Sequence, residues 1–167
     1  KNMASTHSMD IVVQFDLQEM KNAIDQALRE ATNRYDLKDS NVKIELKEDS
    51  IVWLEAANDM HVQALYDVLL KKMVGRGLSH KNLNAGKVED ASGMRRKQEI
   101  KLVKVLDQEN AKLVSKIVRE KFAKAKPVIQ GDTVRVTSGS IDELQAVIAV
   151  LKSDPSITVP LEFGNYR

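Results

Sequence analysis

The chain contains no cysteine among its 167 residues. A disulfide framework, a cysteine-bearing zinc site and a thiol nucleophile are therefore excluded. No apolar run approaches the ~18 residues that span a bilayer. Lys1 to Asp10 holds no apolar stretch of signal-peptide length, which points to the cytoplasm. Met3 and Met9 both read as starts, so residues 1–8 carry no weight in the fold reading. A Gly-x-Ser-x-Gly elbow, a Walker loop and a dinucleotide glycine fingerprint are all missing. His7, His61 and His80 are scattered, without ligand-spaced partners. Asp16, Asp107 and Glu143 are accounted for as helix caps. Nothing singles out a catalytic pair, so the expectation is a protein that is not an enzyme and needs no cofactor.

What is present is an ordinary globular composition, 43% hydrophobic and 30% charged. The length suits one domain, or two of about 80 residues each. The net charge of +2 hides an asymmetry. Lys71 to Lys126 carries 16 Lys+Arg against 6 Asp+Glu, and the rest of the chain carries 10 against 18. A basic centre attracts phosphate-bearing partners. It equally describes solvated faces neutralised by the acidic ends in the fold.

Periodicity places the elements. Asp10–Phe15 reads as a strand, and Asp16 caps a helix carrying Met20, Ile24 and Leu28. Val42, Ile44 and Leu46 alternate with charged residues, and Ile51–Ala57 returns antiparallel. Asn58 or Asp59 caps a second helix, ended by Gly75 and Gly77. Ser79–Gly93 is polar and reads as a linker. The order then recurs, with a strand at Gln98–Val105 and a helix from Asp107. A hairpin follows over Pro127–Gln130 and Thr133–Thr137, turning at Gly131-Asp132. Ser140 and Glu143 open a last helix, and Thr158–Phe163 is a last strand. The halves also match by residue. Val52 and Leu54 align with Val134 and Val136 at an offset of 82, and Asp16 with Asp107 at 91. This internal duplication predicts an α+β chain of tandem ferredoxin-like βαββαβ domains with antiparallel sheets, over residues 9–90 and 91–167.

In such a sheet one face packs on helices and the other stays open. Alternation puts Thr133, Arg135 and Thr137 on the open face, with Lys101 likewise opposite to Ile100. An RNA-recognition sheet carries stacking aromatics there; this one carries Lys, Thr and Arg. Arg95, Arg96, Lys97, Lys101 and Arg135 are candidate phosphate or guanine hooks, because guanidinium pairs bidentately with both. Lysines guarding an edge strand are the plainer account. Trp53 aligns with Arg135 through the repeat, and either stacks a base or packs in a protein contact. Lys112, Lys116 and Arg119 form a basic stripe along one helix face.

The chain resembles the YajQ family of small bacterial proteins. The resemblance is carried by Ser8-Met9-Asp10-Ile11-Val12, Asp107-Gln108-Glu109-Asn110-Ala111-Lys112, Ile129 to Thr137, Asp142 to Ile148 and Pro160 to Arg167. It implies that the first strands are exchanged, 10–15 completing the second sheet and 98–105 the first. It also implies nucleotide binding, with cyclic di-GMP as the ligand of some members and RNA or GTP suggested for others. By resemblance, Asn165 and Arg167 join the candidate site. The reading is a cyclic-di-GMP effector clamping its ligand in an interdomain groove and acting on a transcription factor, another protein or DNA. An RNA-binding or ribosome-associated module and a protein-interaction adaptor are the alternatives. The residues set no oligomeric state.

Overall fold

A computed structural model describes residues 6–167. The elements in chain order are β1 (His7–Val13), α1 (Leu17–Asn33), β2 (Lys43–Lys47), β3 (Ile51–Ala56), α2 (Asp59–Gly75) and β4 (Leu83–Ala91). They continue with β5 (Arg95–Leu102), α3 (Gln108–Lys121), β6 (Lys126–Gln130), β7 (Thr133–Ser138), α4 (Ile141–Ser153) and β8 (Leu161–Gly164). Each helix starts where a capping side chain accepts a backbone N–H: Asp16, Asn58, Asp107 and Ser140. The glutamates of the two expected capping boxes do not reach back. Glu19 bonds Arg76 and Asn22, and Glu143 bonds Ser138.

The strands form two four-stranded antiparallel sheets, ordered β6-β7-β1-β8 and β2-β3-β5-β4. This is the α+β architecture of tandem ferredoxin-like units. The chain divides into one unit of residues Phe15–Val103 and another formed by the residues up to Gln14 together with Lys104–Arg167. β1 is an inner strand of the sheet that follows α3, and β5 is an inner strand of the sheet that follows α1. Met9 and Ile11 of β1 are fully buried, as is Ile100 of β5. The duplicated helices and hairpins keep their correspondence. β3 and β7 are both six residues long, whereas α1 has 17 residues against 14 in α3. The connection 34–42 is also longer than its counterpart 122–125, which accounts for most of the change of offset.

Several boundaries differ from the sequence reading. The first strand is His7–Val13 rather than 10–15, so two residues that carried no weight belong to it, and Phe15 instead packs on the core of the Phe15–Val103 unit. The strand expected at 98–105 is Arg95–Leu102, and the last strand is Leu161–Gly164 rather than 158–163. The expected linker 79–93 contains β4, a nine-residue strand paired along β5. Gly86 lies where β4 slips register. A Cβ there would stand 2.9 Å from the Glu99 carbonyl, so the close backbone approach depends on glycine.

The placement of β1 has a direct test. Ile11→Ala removes buried volume from the sheet β6-β7-β1-β8 and is expected to cost ~2–5 kcal/mol. Hydrogen exchange should accelerate in β7 and β8, while β2 and β3 keep their protection. Acceleration confined to the other sheet would contradict the strand order.

Candidate functional site

The sheet faces turned away from the helices differ in chemistry between the two units. On β7, Val134 and Val136 are fully buried against the helices, which leaves Thr133, Arg135 and Thr137 half-buried on the other side. Asp10 of β1 stands directly opposite Arg135 in register. The guanidinium donates from Nε to Asp10 Oδ1 at 2.8 Å and from Nη2 to Oδ2 at 3.2 Å. Asn165 Nδ2 donates to the same Oδ2 at 2.6 Å. The Arg135 bond holds the Asp10 carboxyl below its ordinary range; burial pushes the other way and is outweighed. The same bond raises Arg135. The expected phosphate hook is therefore already closed on a carboxylate of its own sheet.

The corresponding face of the other sheet centres on Trp53. Its Nε1 donates to Glu55 Oε1 at 3.1 Å, and the ammonium groups of Lys47 and Lys97 lie 3.8 and 4.4 Å from the ring centroid. Lys97 donates to Glu99 at 2.8 Å. Arg95 donates to Glu55 Oε2 at 2.6 Å and to the Ser40 and Asn41 carbonyls, which ties β5 to the connection before β2. Burial pushes the Glu55 carboxyl up, but the Arg95 and Trp53 hydrogen bonds with the neighbouring cations bring it below the ordinary value. Arg96 points to the other side of the sheet, where Asp59 at the start of α2 and Asp90 of β4 accept from it. The run 95–97 is thus divided between two faces and bound to carboxylates. Lys101 is exposed beside a shallow hollow of about 390 Å³ that Ile51, Gly86 and Glu99 also line.

The candidate residues fall into two sets. Thr133, Arg135, Thr137, Asn165 and Arg167 belong to the unit containing β1, and Trp53, Arg95, Arg96, Lys97 and Lys101 to the other. The charge of Arg167 also helps to hold the Asp10 carboxyl down. The Arg167 backbone pairs with Ser8, N to O at 3.0 Å and O from N at 3.2 Å. The arm it ends turns at Asn165, whose φ is 52°. Tyr166 Oη donates to the Phe163 carbonyl at 3.3 Å. Arm, strand and helix together line a half-open hollow of about 310 Å³, formed by His7, Ser8, Ile141, Leu144, Gln145, Tyr166 and Arg167. The sequence reading missed most of this lining. His7 and Ser8 were set aside, Ile141 received no reading, and Gln145 entered only within the segment Asp142 to Ile148. A usable signal was present, because Ile141 is an apolar residue in a first helical turn where polar residues are common.

Among the described residues no group of His, Asp and Glu is arranged to hold a metal ion, and no helix is long and apolar enough to cross a membrane.

The family profile described as nucleotide-binding protein YajQ-like matches residues 7–167. A protein of Trichodesmium erythraeum (strain IMS101), named a nucleotide-binding protein, is 51% identical over 165 residues, covering 99% of this chain and 100% of the relative. Similarly named proteins of Parasynechococcus marenigrum (strain WH8102) and Chloroflexus aggregans (strain MD-66 / DSM 9485) are 49% and 47% identical over 166 residues, with the same coverage.

The Asp10–Arg135 pair carries a pH signature. A carboxyl with a depressed folded pKa stabilises above its unfolded pKa and loses that contribution as pH falls through the folded value. Stability should therefore drop on acidification through and below the usual Asp range. Asp10→Asn should lower the urea midpoint at neutral pH and flatten that drop. An unchanged acid limb in Asp10→Asn would show that the pair is energetically silent.

Proposed function

The chain belongs to the family of YajQ-like nucleotide-binding proteins, and from that membership we propose that it binds a nucleotide without transforming it. Cyclic di-GMP is the proposed ligand. The bound state would be read in the cytoplasm by a protein such as a transcription factor, or by DNA. The observation that carries the reading is the match over essentially the entire chain to relatives named for nucleotide binding.

The site chemistry redirects where the ligand is held. Arg95, Arg96 and Arg135 each have carboxylate partners. A phosphate would have to displace a carboxylate already in hydrogen-bonded geometry, which removes most of the gain. These arginines are assigned to holding the sheets. In the unit containing β1, Arg167, Thr133 and Thr137 are the polar groups left for a ligand, and in the other unit the exposed Lys101 is.

A second reading rests on a separate observation. Lys112, Lys116 and Arg119 are all exposed along α3. A stripe of that kind can follow an RNA backbone.

Titration calorimetry with cyclic di-GMP, GTP and a short RNA at two salt concentrations separates these. Saturable binding of cyclic di-GMP with shallow salt dependence is expected. Binding of RNA alone, falling steeply with salt, would overturn the dinucleotide reading in favour of the stripe. Silence with all three would remove nucleotide binding and leave a protein adaptor.

A further inference from the structure

Two large apolar side chains stand half in water at one end of β1: Ile141 is 56% exposed and Tyr166 58% exposed. Both line the hollow of about 310 Å³. Ile141, Leu144 and Gln145 lie on one face of α4, at the i, i+3 and i+4 positions. His7 closes one wall from β1, and Tyr166 and Arg167 close another.

The second wall is built. Residues 165–167 have no regular structure. They are nonetheless held by the Ser8–Arg167 backbone pair, by the Asn165 bond to Asp10 and by the Tyr166 bond to the Phe163 carbonyl. Asn165 also adopts a left-handed backbone, uncommon for a residue other than glycine. These restraints fix an aromatic ring at the mouth of an apolar hollow rather than burying it in the core.

A mainly apolar lining with a few converging polar groups is the make-up of a small-molecule site. Here the apolar part is Ile141, Leu144 and the Tyr166 ring, against which a planar base can stack. The Gln145 amide and the His7 imidazole each offer a donor and an acceptor to a base edge. Arg167 supplies the cation for a phosphate. The volume is at the lower end of the roughly 300–1,000 Å³ of ligand pockets, which suits one nucleotide and not an enclosed dinucleotide.

We infer that this pocket holds a single purine nucleotide unit, its base on Tyr166 and Ile141, its edge on Gln145 and His7, and its phosphate on Arg167. The inference rests on the nucleotide-binding reading above and gives it a place. A cyclic dinucleotide binds here by one half, with the second half outside the hollow, so GMP competes for the same position.

The three histidines make the test specific, because His7 lies in the unit with the pocket and His61 and His80 in the other. Cyclic di-GMP, and then GMP, are titrated into the full chain while the histidine ring resonances are followed by NMR, alongside calorimetry. The expected result is saturable movement of His7 with His61 and His80 unmoved, and competition by GMP. Tyr166→Ala and Gln145→Leu are both at exposed positions; the first should weaken binding at least about fivefold, the lower end of what a stacked base contributes, and the second at least about twofold, the lower end of what a hydrogen bond contributes. Their thermal unfolding should match that of the parent protein. Calorimetric binding with His7 unmoved and both variants at parent affinity would overturn the pocket and leave nucleotide binding standing. No binding of either nucleotide to the parent protein would overturn the nucleotide reading, and the pocket with it.

Discussion

The structure depends on where two strands go. β1 precedes α1 in the chain, yet pairs with β7 and β8. β5 leads into α3, yet pairs with β3 and β4. Both are inner strands, so each sheet is incomplete without the strand that crosses into it. The consequences for the two units are unequal. Phe15–Val103 is one continuous stretch, whereas the other unit must bring β1 back to β7 across that whole stretch. Loop closure grows costlier with length, though only logarithmically, and slows folding more than it weakens the fold. Folding of the continuous unit first replaces a long flexible loop by an ordered insertion.

The ion pairs follow the same crossing. In the sheet containing β1, Arg135 of β7 reaches Asp10 of β1; in the other, Glu55 of β3 meets Arg95 of β5. β3 and β7 are equivalent through the repeat, as are β5 and β1. Each crossing strand is therefore clamped to the same neighbour on the open face, with the charges reversed. The crossing strand supplies the acid in one unit and the base in the other. This gives Arg95 and Arg135 an architectural partner each.

The helices and the β2–β3 and β6–β7 hairpins were legible because apolar residues recur at their own periods and the caps sit beside them. β4 was not. Leu83–Ala91 is mostly exposed, contains a glycine and pairs on one side only. An edge strand buries too little to leave an alternating pattern. The partners of the arginines were invisible for a different reason. Asp10 and Arg135 are 125 positions apart, and Arg95 and Glu55 are 40 apart. Only the strand order brings them together, and no spacing rule encodes it. The exchange itself came from family resemblance, since a tandem of unexchanged units has the same periodicity. Alternation put Thr133, Arg135 and Thr137 on the side opposite Val134 and Val136, where the structure has them half-buried, but their surroundings were not readable from alternation alone.

The pocket lies at the end of the strand that has to return. His7 and Ser8 belong to β1, and the 165–167 arm is anchored through Ser8 and Asp10 of that strand. Ile141, Leu144 and Gln145 come from the far side of the continuous unit in sequence. A ligand held there touches both pieces of the discontinuous unit and has no site until they have met. Binding to the folded form alone stabilises it by RT ln(1 + [L]/Kd). That stabilisation falls on the β1 crossing, the step with the largest sequence separation to close. In this fold, recognition and completion of the sheet draw on the same residues, so a nucleotide in this pocket also reinforces the strand that builds it.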